Sequence, residues 1–472
     1  MKTKIPFDNS FVALKGGFYT LQAPEPAPAP ELIVYNDALG DELGIARGPD
    51  AELAAIFGGR DTPDGAEPLA QLYSGHQFGN YNPQLGDGRA VLLGEVVDVT
   101  GNRRDIQLKG SGRTPYSRGG DGKAWLGPVL REYLVSEAMH ALGIPTTRAL
   151  AAVSTGESVY RETALPGAIV TRVAASHIRV GTFQVFAARG QFEQLQTLTD
   201  YTIARHYPDA EGPEGLLQAV MDAQAALIPA WMGVGFIHGV MNTDNCQIAG
   251  ETIDYGPCAF MDAFAADRVF SSIDRQGRYA FANQPDIVIW NMAQLATALV
   301  GLMPDQDAAI ARFTQMLHAM KDRLRENWLK TFAAKIGIAQ PQAEDGALIA
   351  DLLDMMEQSG ADFTNTFRAL SKGSAHDEIV DRDAYQSWHE TWQKRLSSET
   401  EPQGLMARVN PVLIPRNHRI EQMIDAAVGG DFAPFHRLND ALKTPFTERD
   451  DIADLQRPPS AQEVVPATFC GT

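Results

Sequence analysis

The sequence predicts an α+β protein in two lobes, a smaller mixed lobe over residues 1–183 and a larger, mainly helical lobe over 184–472. Strand-length apolar runs bounded by turn residues concentrate in the first third of the chain, whereas beyond about residue 185 apolar residues recur at helical spacing over long segments. No repeat period and no heptad run points to a solenoid or a coiled coil. With 472 residues, 44% of them apolar, the chain is long enough to bury a large core.

Taken in order, Ala23 to Glu31 (APEPAPAPE) is proline-rich and is expected to be an extended surface arm or linker. Asp87 to Lys109 reads as a β-hairpin: Arg89 to Val97 is an apolar strand, Asp98 to Arg104 (DVTGNRR) holds the turn residues, and Asp105 to Lys109 alternates as the second strand. Pro128 fits a first helical turn, and Val129, Leu130, Tyr133, Leu134, Ala138 and Leu142 follow at helical spacing until Gly143 and Pro145 end the element. Helices are then expected over Leu216 to Met232, Pro285 to Leu302, Asp307 to Ala334, Ala347 to Ser359, Ala384 to Leu396 and Arg419 to Val428. A second short β-hairpin is expected at Cys246 to Asp254, turning at Ala249, Gly250 and Glu251, and the last residues, 456–472, read as a flexible tail.

Composition removes several function classes. The formal net charge of −19 argues against a nucleic-acid partner, which needs a surplus of Lys and Arg. No run of eighteen apolar residues speaks for a membrane span, and Met1 to Ser10 has neither the apolar core of a signal peptide nor the Arg-rich look of a transit peptide, so a cytoplasmic protein is expected; a monomer is expected as well. Three cysteines, Cys246, Cys258 and Cys470, are too few for a disulfide framework and lack metal-ligand spacing.

Four pieces carry chemistry. Gly86-Asp87-Gly88-Arg89 opens the first hairpin; residues without a Cβ let backbone N–H groups approach a phosphate and Arg89 adds charge, although Gly-Asp-Gly is also an ordinary turn. Lys109 ends an apolar strand about twenty residues later, where a phosphate-pairing lysine would stand. The helix after it offers Glu132 and Glu137 as ion-pair partners for that lysine, with Glu132 preferred. Last come His238-Gly239-Val240-Met241-Asn242-Thr243-Asp244-Asn245 and Asp254-Tyr255-Gly256, whose His, final Asn and Asp-x-Gly fall in register with the protein-kinase patterns His-Arg-Asp-Leu-x-x-x-Asn and Asp-Phe-Gly. Asn245 and Asp254 would supply hard oxygen ligands from two neighbouring strands to a Mg²⁺ that bridges phosphates. The position of the kinase base holds Val240, which takes no proton; either the chain is a non-catalytic ATP-binding scaffold or another carboxylate serves, and Asp244 is the one available. Arg172 and Arg179 are further cations for a triphosphate, in a segment whose structure the sequence leaves open.

Those residues, together with Ser74-Gly75-His76-Gln77-Phe78-Gly79, the run from Leu108 to Arg118 and the run from Ser136 to Arg148, resemble the selenoprotein O family, densely over residues 70 to 300 and more thinly to the C-terminus. The resemblance implies a two-lobed protein-kinase-like fold in which ATP lies reversed, so that AMP passes to Ser, Thr or Tyr hydroxyls of proteins and pyrophosphate leaves. It implies Asp244 as proton acceptor, Asn245 and Asp254 as ligands of Mg²⁺ or Mn²⁺, and Gly86, Gly88, Arg89, Lys109, Asp121, Gly122, Arg172, Arg179 and Asp254 as ATP contacts. It also implies a redox role for Cys470, three residues from the end; the position of a partner cysteine holds Phe270, Ser271 and Ser272, leaving Cys258 as the substitute. An ordinary protein or small-molecule kinase is the competing expectation.

Overall fold

The computed structural model describes residues 2–469. Its first part is an eight-stranded sheet built from β1 (Tyr19–Leu21), β2 (Glu31–Tyr35), β3 (Leu69–Gln71), β6 (Ala90–Val97), β7 (Arg103–Lys109), β8 (Ala124–Trp125), β9 (Arg148–Tyr160) and β10 (Ala164–Ala174), with the small pair β4 (Gly75–Gln77) and β5 (Asn80–Asn82) standing apart from it. The strand order is β1-β3-β6-β7-β10-β9-β2, every pairing is antiparallel, and β8 adds to β10.

Alternation along the strands gives the sheet two buried faces. Ile169 and Val173 of β10, with Leu150 and Val153 of β9, face a small core closed by α1 (Asp37–Glu42) and α2 (Asp50–Phe57). Ala168 and Val170, with Ala149 and Ala152, face α3 (Leu126–Ala141) and belong to a larger core that continues into the helical part. At roughly 25 cal/mol per Å² of apolar area removed from water, this two-sided burial holds the sheet to its helices.

The expected hairpin over Asp87–Lys109 and the expected helix after Pro128 are both present, with the second strand beginning earlier than expected, at Arg103, and the helix at Leu126. Ala23–Glu31 is extended but is no free arm: Glu25, Ala27 and Ala29 donate backbone hydrogen bonds to Ser111, Gly58 and Thr155, which pins the segment along the sheet. Because proline cannot donate, only the non-proline residues between the prolines tie it down.

The second part contains α4 (Val180–Ala188), α5 (Phe192–His206), α6 (Gly212–Gly233), α7 (Gln284–Val300), α8 (Gln306–Lys335), α9 (Asp345–Ser359), α10 (Phe363–Lys372), α11 (Arg382–Leu396), α12 (Pro402–Val409), α13 (Asn417–Val428), α14 (Ala433–Leu442) and the short α15 (Ala453–Gln456). All six expected helices are there, extended by one to four residues at one or both ends except for α7, which stops at Val300. The expected hairpin over Cys246–Asp254 is absent. Its two arms bridge to other segments instead, Gln247 to Arg179 and Thr252 to Thr146, and the local strand pair is β11 (Phe236–Ile237) with β12 (Ala259–Phe260). Ile248 and Ile253 are buried because the loop threads between the sheet and α6, not because its arms pair.

Late helices return to the first part. Helices α13 and α14 pack on α3: Tyr133 meets Phe435 with ring centroids 5.8 Å apart, and Arg131 donates to Glu421 at 2.5 Å and to the Cys258 carbonyl at 3.2 Å. The stretch after Gln456, expected to be flexible, is tethered at Thr468, whose backbone joins Phe270 and Ser272 and whose hydroxyl donates to the Pro257 carbonyl. Cys470 lies outside the described residues.

Candidate active site

A cavity of about 720 Å³ opens where the sheet meets the loops that follow α6, a volume suited to a small ligand. Gly86, Gly88, Arg89, Lys109, Asp121, Gly122, Arg172, Arg179, Asp244, Asn245 and Asp254 all line it. Residues more than 160 positions apart in the chain thus share one wall.

The strand register explains the cationic floor. Lys109 of β7 lies opposite Val170 and Gln107 opposite Arg172, so Lys109, Gln107 and Arg172 project from the α3 face of the sheet. Glu132, nearly two turns into α3, meets them there: its carboxylate lies 2.6 Å from Lys109 Nζ and 3.3 Å from Arg172 Nη1. Glu137 turns away and takes Arg148 through two hydrogen bonds of 2.8 Å. Asp254 closes the cluster, in contact with Lys109 Nζ and 2.9 Å from Arg172 Nη1. Burial alone would push the Asp254 carboxyl up, but Lys109, Arg172 and Arg179 outweigh it and hold the group well below the usual carboxylate range.

Arg179 caps α4 and lies over the Tyr73 ring, 4.2 Å from its centroid. Asp87 sits beneath it at 3.8 Å and accepts from the Gln71 backbone and from Gln107, each at 3.1 Å. Its neighbours Gly86 and Gly88 are glycines for steric reasons: a Cβ on Gly86, at φ +87°, would stand 2.4 Å from the Tyr116 ring, and one on Gly88 would stand 2.9 Å from the Tyr116 carbonyl. Asp121 and Gly122 are at the rim, where Asp121 is held by Arg161 at 2.8 Å.

On the opposite wall, Asp244 and Asn245 lie in a single 3-10 turn, Thr243–Asn245. The Asp244 carboxylate is almost fully buried, receives one hydrogen bond, from Gln77 Nε2 at 3.0 Å, and leaves Oδ1 without a partner among the described residues. Burial raises its pKa to about 6, against the Gln77 hydrogen bond that pulls it down. Asn245 donates its amide to the Val240 carbonyl at 3.0 Å, so its oxygen is the end left for a ligand. Asp254 is a non-glycine residue at φ +63°, a conformation that costs on the order of 1 kcal/mol and is tolerated where the surroundings impose it. His238 is buried, stacked on Trp231 and bonded to the Ile253 carbonyl at 2.8 Å; it braces the loop segment that leads into Asp254.

Sequence reasoning missed Tyr73, Gln107 and Gln77 as parts of the site, and named Asp87 only as a member of the Gly86–Arg89 turn without a role of its own. Gln77 stood in a string already singled out, Ser74 to Gly79, but nothing in a linear pattern says that this string folds against residues 242–244. Among the described residues no three His, Cys, Asp or Glu side chains form a ready-made metal cage. The donors present, the Asn245 amide oxygen and the Asp254 carboxylate, are hard oxygens of the kind that hold a divalent ion jointly with phosphate oxygens and water. No helix among the described residues is long and apolar enough to cross a membrane.

Comparison with known proteins identifies the family. The family model described as protein adenylyltransferase SelO matches residues 2–443. The chain is 66% identical over its whole length, and over the whole of the relative, to protein nucleotidyltransferase YdiU of Ruegeria sp. (strain TM1040), and likewise 66% identical to that of Ruegeria pomeroyi. It is 61% identical to the protein of the same name from Roseobacter denitrificans, again over all of both chains. The chain belongs to the SelO family of protein adenylyltransferases.

Proposed function

We propose that this enzyme transfers AMP from ATP to the Ser, Thr or Tyr hydroxyl of a cytoplasmic protein and releases pyrophosphate, within a two-lobed kinase-like architecture divided near residue 183. The observation that carries the reading is the pairing, across one cavity, of a buried and nearly unpartnered carboxylate, Asp244, with the cations Lys109, Arg172 and Arg179. A carboxylate so placed accepts a proton, and the cations opposite it are suited to phosphate charge.

In the proposed reaction the acceptor O–H bond breaks and its proton passes to the Asp244 carboxylate. The freed oxygen forms a bond to the α-phosphorus, and the bond from that phosphorus to the bridging oxygen breaks, its electron pair leaving with pyrophosphate. Lys109, fixed by Glu132 and Asp254, and Arg172, fixed by Gln107, present their charges without having to reorganise. Gly86 and Gly88 let backbone approach the polyphosphate, and Arg89 and Arg179 add charge at either side. Asn245 and Asp254 would hold a Mg²⁺ or Mn²⁺, which when bound neutralises phosphate charge as a Lewis acid.

Incubation with ATP labelled at the α-phosphate is expected to label acceptor protein, and ATP labelled at the γ-phosphate is expected not to. Transfer of the γ-label alone would make the enzyme a kinase instead. Tight ATP binding with no label on any acceptor, in the presence of metal and reductant, would leave a nucleotide-binding scaffold.

A further inference from the structure

Strands β4 and β5 form a hairpin that belongs to neither the large sheet nor the helices. Its loop is two residues, Phe78-Gly79, both with positive φ (51° and 81°), the geometry of a tight primed turn in which a non-glycine residue is rarely accepted. What holds it is the turn at 242–244. The His76 N–H donates to Thr243 Oγ1 at 2.7 Å, the Phe78 N–H donates to Asn242 Oδ1 at 3.2 Å, and the Tyr279 hydroxyl donates to that same oxygen at 2.7 Å. The hairpin is thereby registered on the turn residue by residue.

That register delivers the Gln77 side chain to Asp244. Its Nε2 donates to Oδ2 at 3.0 Å and is the one side chain among the described residues that hydrogen-bonds this carboxylate. The other oxygen, Oδ1, is enclosed against Gly75, where an added Cβ would stand 2.6 Å from it. With one oxygen walled in and the other tied, the carboxylate has a single orientation, and a lone pair on Oδ2 is what remains to take a proton.

We propose that Gln77 is a positioning residue for proton transfer, aiming the Asp244 carboxylate at the incoming hydroxyl while exchanging no proton itself. This rests on the reading of Asp244 as proton acceptor. Gln77 lines the cavity but bonds the carboxylate and none of the cations, so its effect is expected on the transition state, and the separation of kcat from KM for ATP tests that.

The test compares the whole enzyme with Gln77→Ala and with Gln77→Glu, which keeps the shape but cannot donate when ionised. The readout is AMP transferred from α-labelled ATP to casein as a generic hydroxyl acceptor, with ATP varied. Both variants are expected to lose about tenfold to a hundredfold in kcat, with KM for ATP and the ATP-induced rise in melting temperature unchanged within about twofold. Adding Gln77→Ala to Asp244→Ala is expected to cost nothing more. The inference is overturned by a kcat within about twofold of the unsubstituted enzyme, by a loss confined to KM, or by an equal drop on the Asp244→Ala background. If Asp244→Ala alone transfers AMP at the original rate, the proton-acceptor reading itself fails; if Asp244→Ala is inactive and Gln77→Ala is not, only the role of Gln77 fails.

Discussion

Replacing Glu132 by glutamine tests the charge balance of the buried ion cluster. Lys109, Arg172 and Arg179 face Glu132, Asp254 and Asp87, so three positive charges meet three negative ones, and Glu132→Gln leaves one cation in excess. At 2.6 Å the Lys109–Glu132 attraction is about 6 kcal/mol for an effective dielectric near 20. Most of that is offset, because a glutamine oxygen still accepts a hydrogen bond and Asp254 still holds both Lys109 and Arg172. The net cost is expected to be about 2–3 kcal/mol, below the 3–5 typical of a fully orphaned buried charge. With an unfolding entropy of roughly 2 cal/mol/K per residue, a chain of this size melting as one unit loses about 1 °C per kcal/mol, so a fall of about 2–3 °C is expected by calorimetry. ATP reverses the sign of the comparison: the surplus positive charge favours a triphosphate, so the ATP-induced rise in melting temperature is expected to be larger than in the unsubstituted enzyme, while kcat falls because Lys109 is less firmly held. An unchanged melting temperature without ATP, or a smaller ATP-induced rise, would refute the charge balance drawn here.

Asp254→Ala removes the proposed metal ligand and the anion that gathers Lys109 and Arg172; AMP transfer to casein is expected to drop by about a thousandfold or more, with circular dichroism unchanged. Gly86→Ala puts a Cβ against the Tyr116 ring on a backbone with φ +87°, and is expected to cost about 1–3 kcal/mol in urea unfolding and to weaken ATP affinity measured by titration calorimetry. Far from the cavity, Lys335 is buried over the Phe367 ring at 4.2 Å with Asn410 Oδ1 at 2.8 Å, and burial lowers its pKa to about 7. A lysine with a depressed folded pKa binds fewer protons folded than unfolded between about pH 7 and 10, so its contribution to stability rises with pH across that window. Lys335→Met is expected to flatten that rise when melting temperatures of both proteins are followed from pH 6 to 10, and an identical pH profile would show that Lys335 is charged in the folded enzyme.

The parts of the site legible in the sequence were those carried by short-range pattern. The apolar alternation of Ile106 and Leu108 announced a strand ending at Lys109, and helical spacing after Pro128 put Glu132 within reach of it. What the sequence left open around Arg172 was settled by pairing: β9 and β10 are long strands whose residues are buried on both faces, so they lack the polar alternation that marks a strand by eye. The segment 246–254 failed for the opposite reason, since its apolar residues imitate two short strands while its hydrogen bonds go to residues remote in the chain. Helices α4, α5, α10, α12 and α14 were passed over as well; α4, for one, is buried along nearly its whole length and shows little amphipathic contrast. Gln77 marks the limit of linear reading, because its partner is 167 positions away.

The seating of α13 and α14 on α3 bears on how the enzyme can be cut down for study. Residues 417–442 cover the outer side of the helix whose inner side presents Glu132, and they satisfy the Arg131 guanidinium through Glu421. A fragment ending near residue 410 would bare Tyr133 and leave Arg131 without that anion, so the loss would reach the lysine cluster through a single helix. The smallest piece expected to keep nucleotide chemistry therefore extends at least through Leu442, and the distal helices belong to the catalytic unit rather than to an appendage.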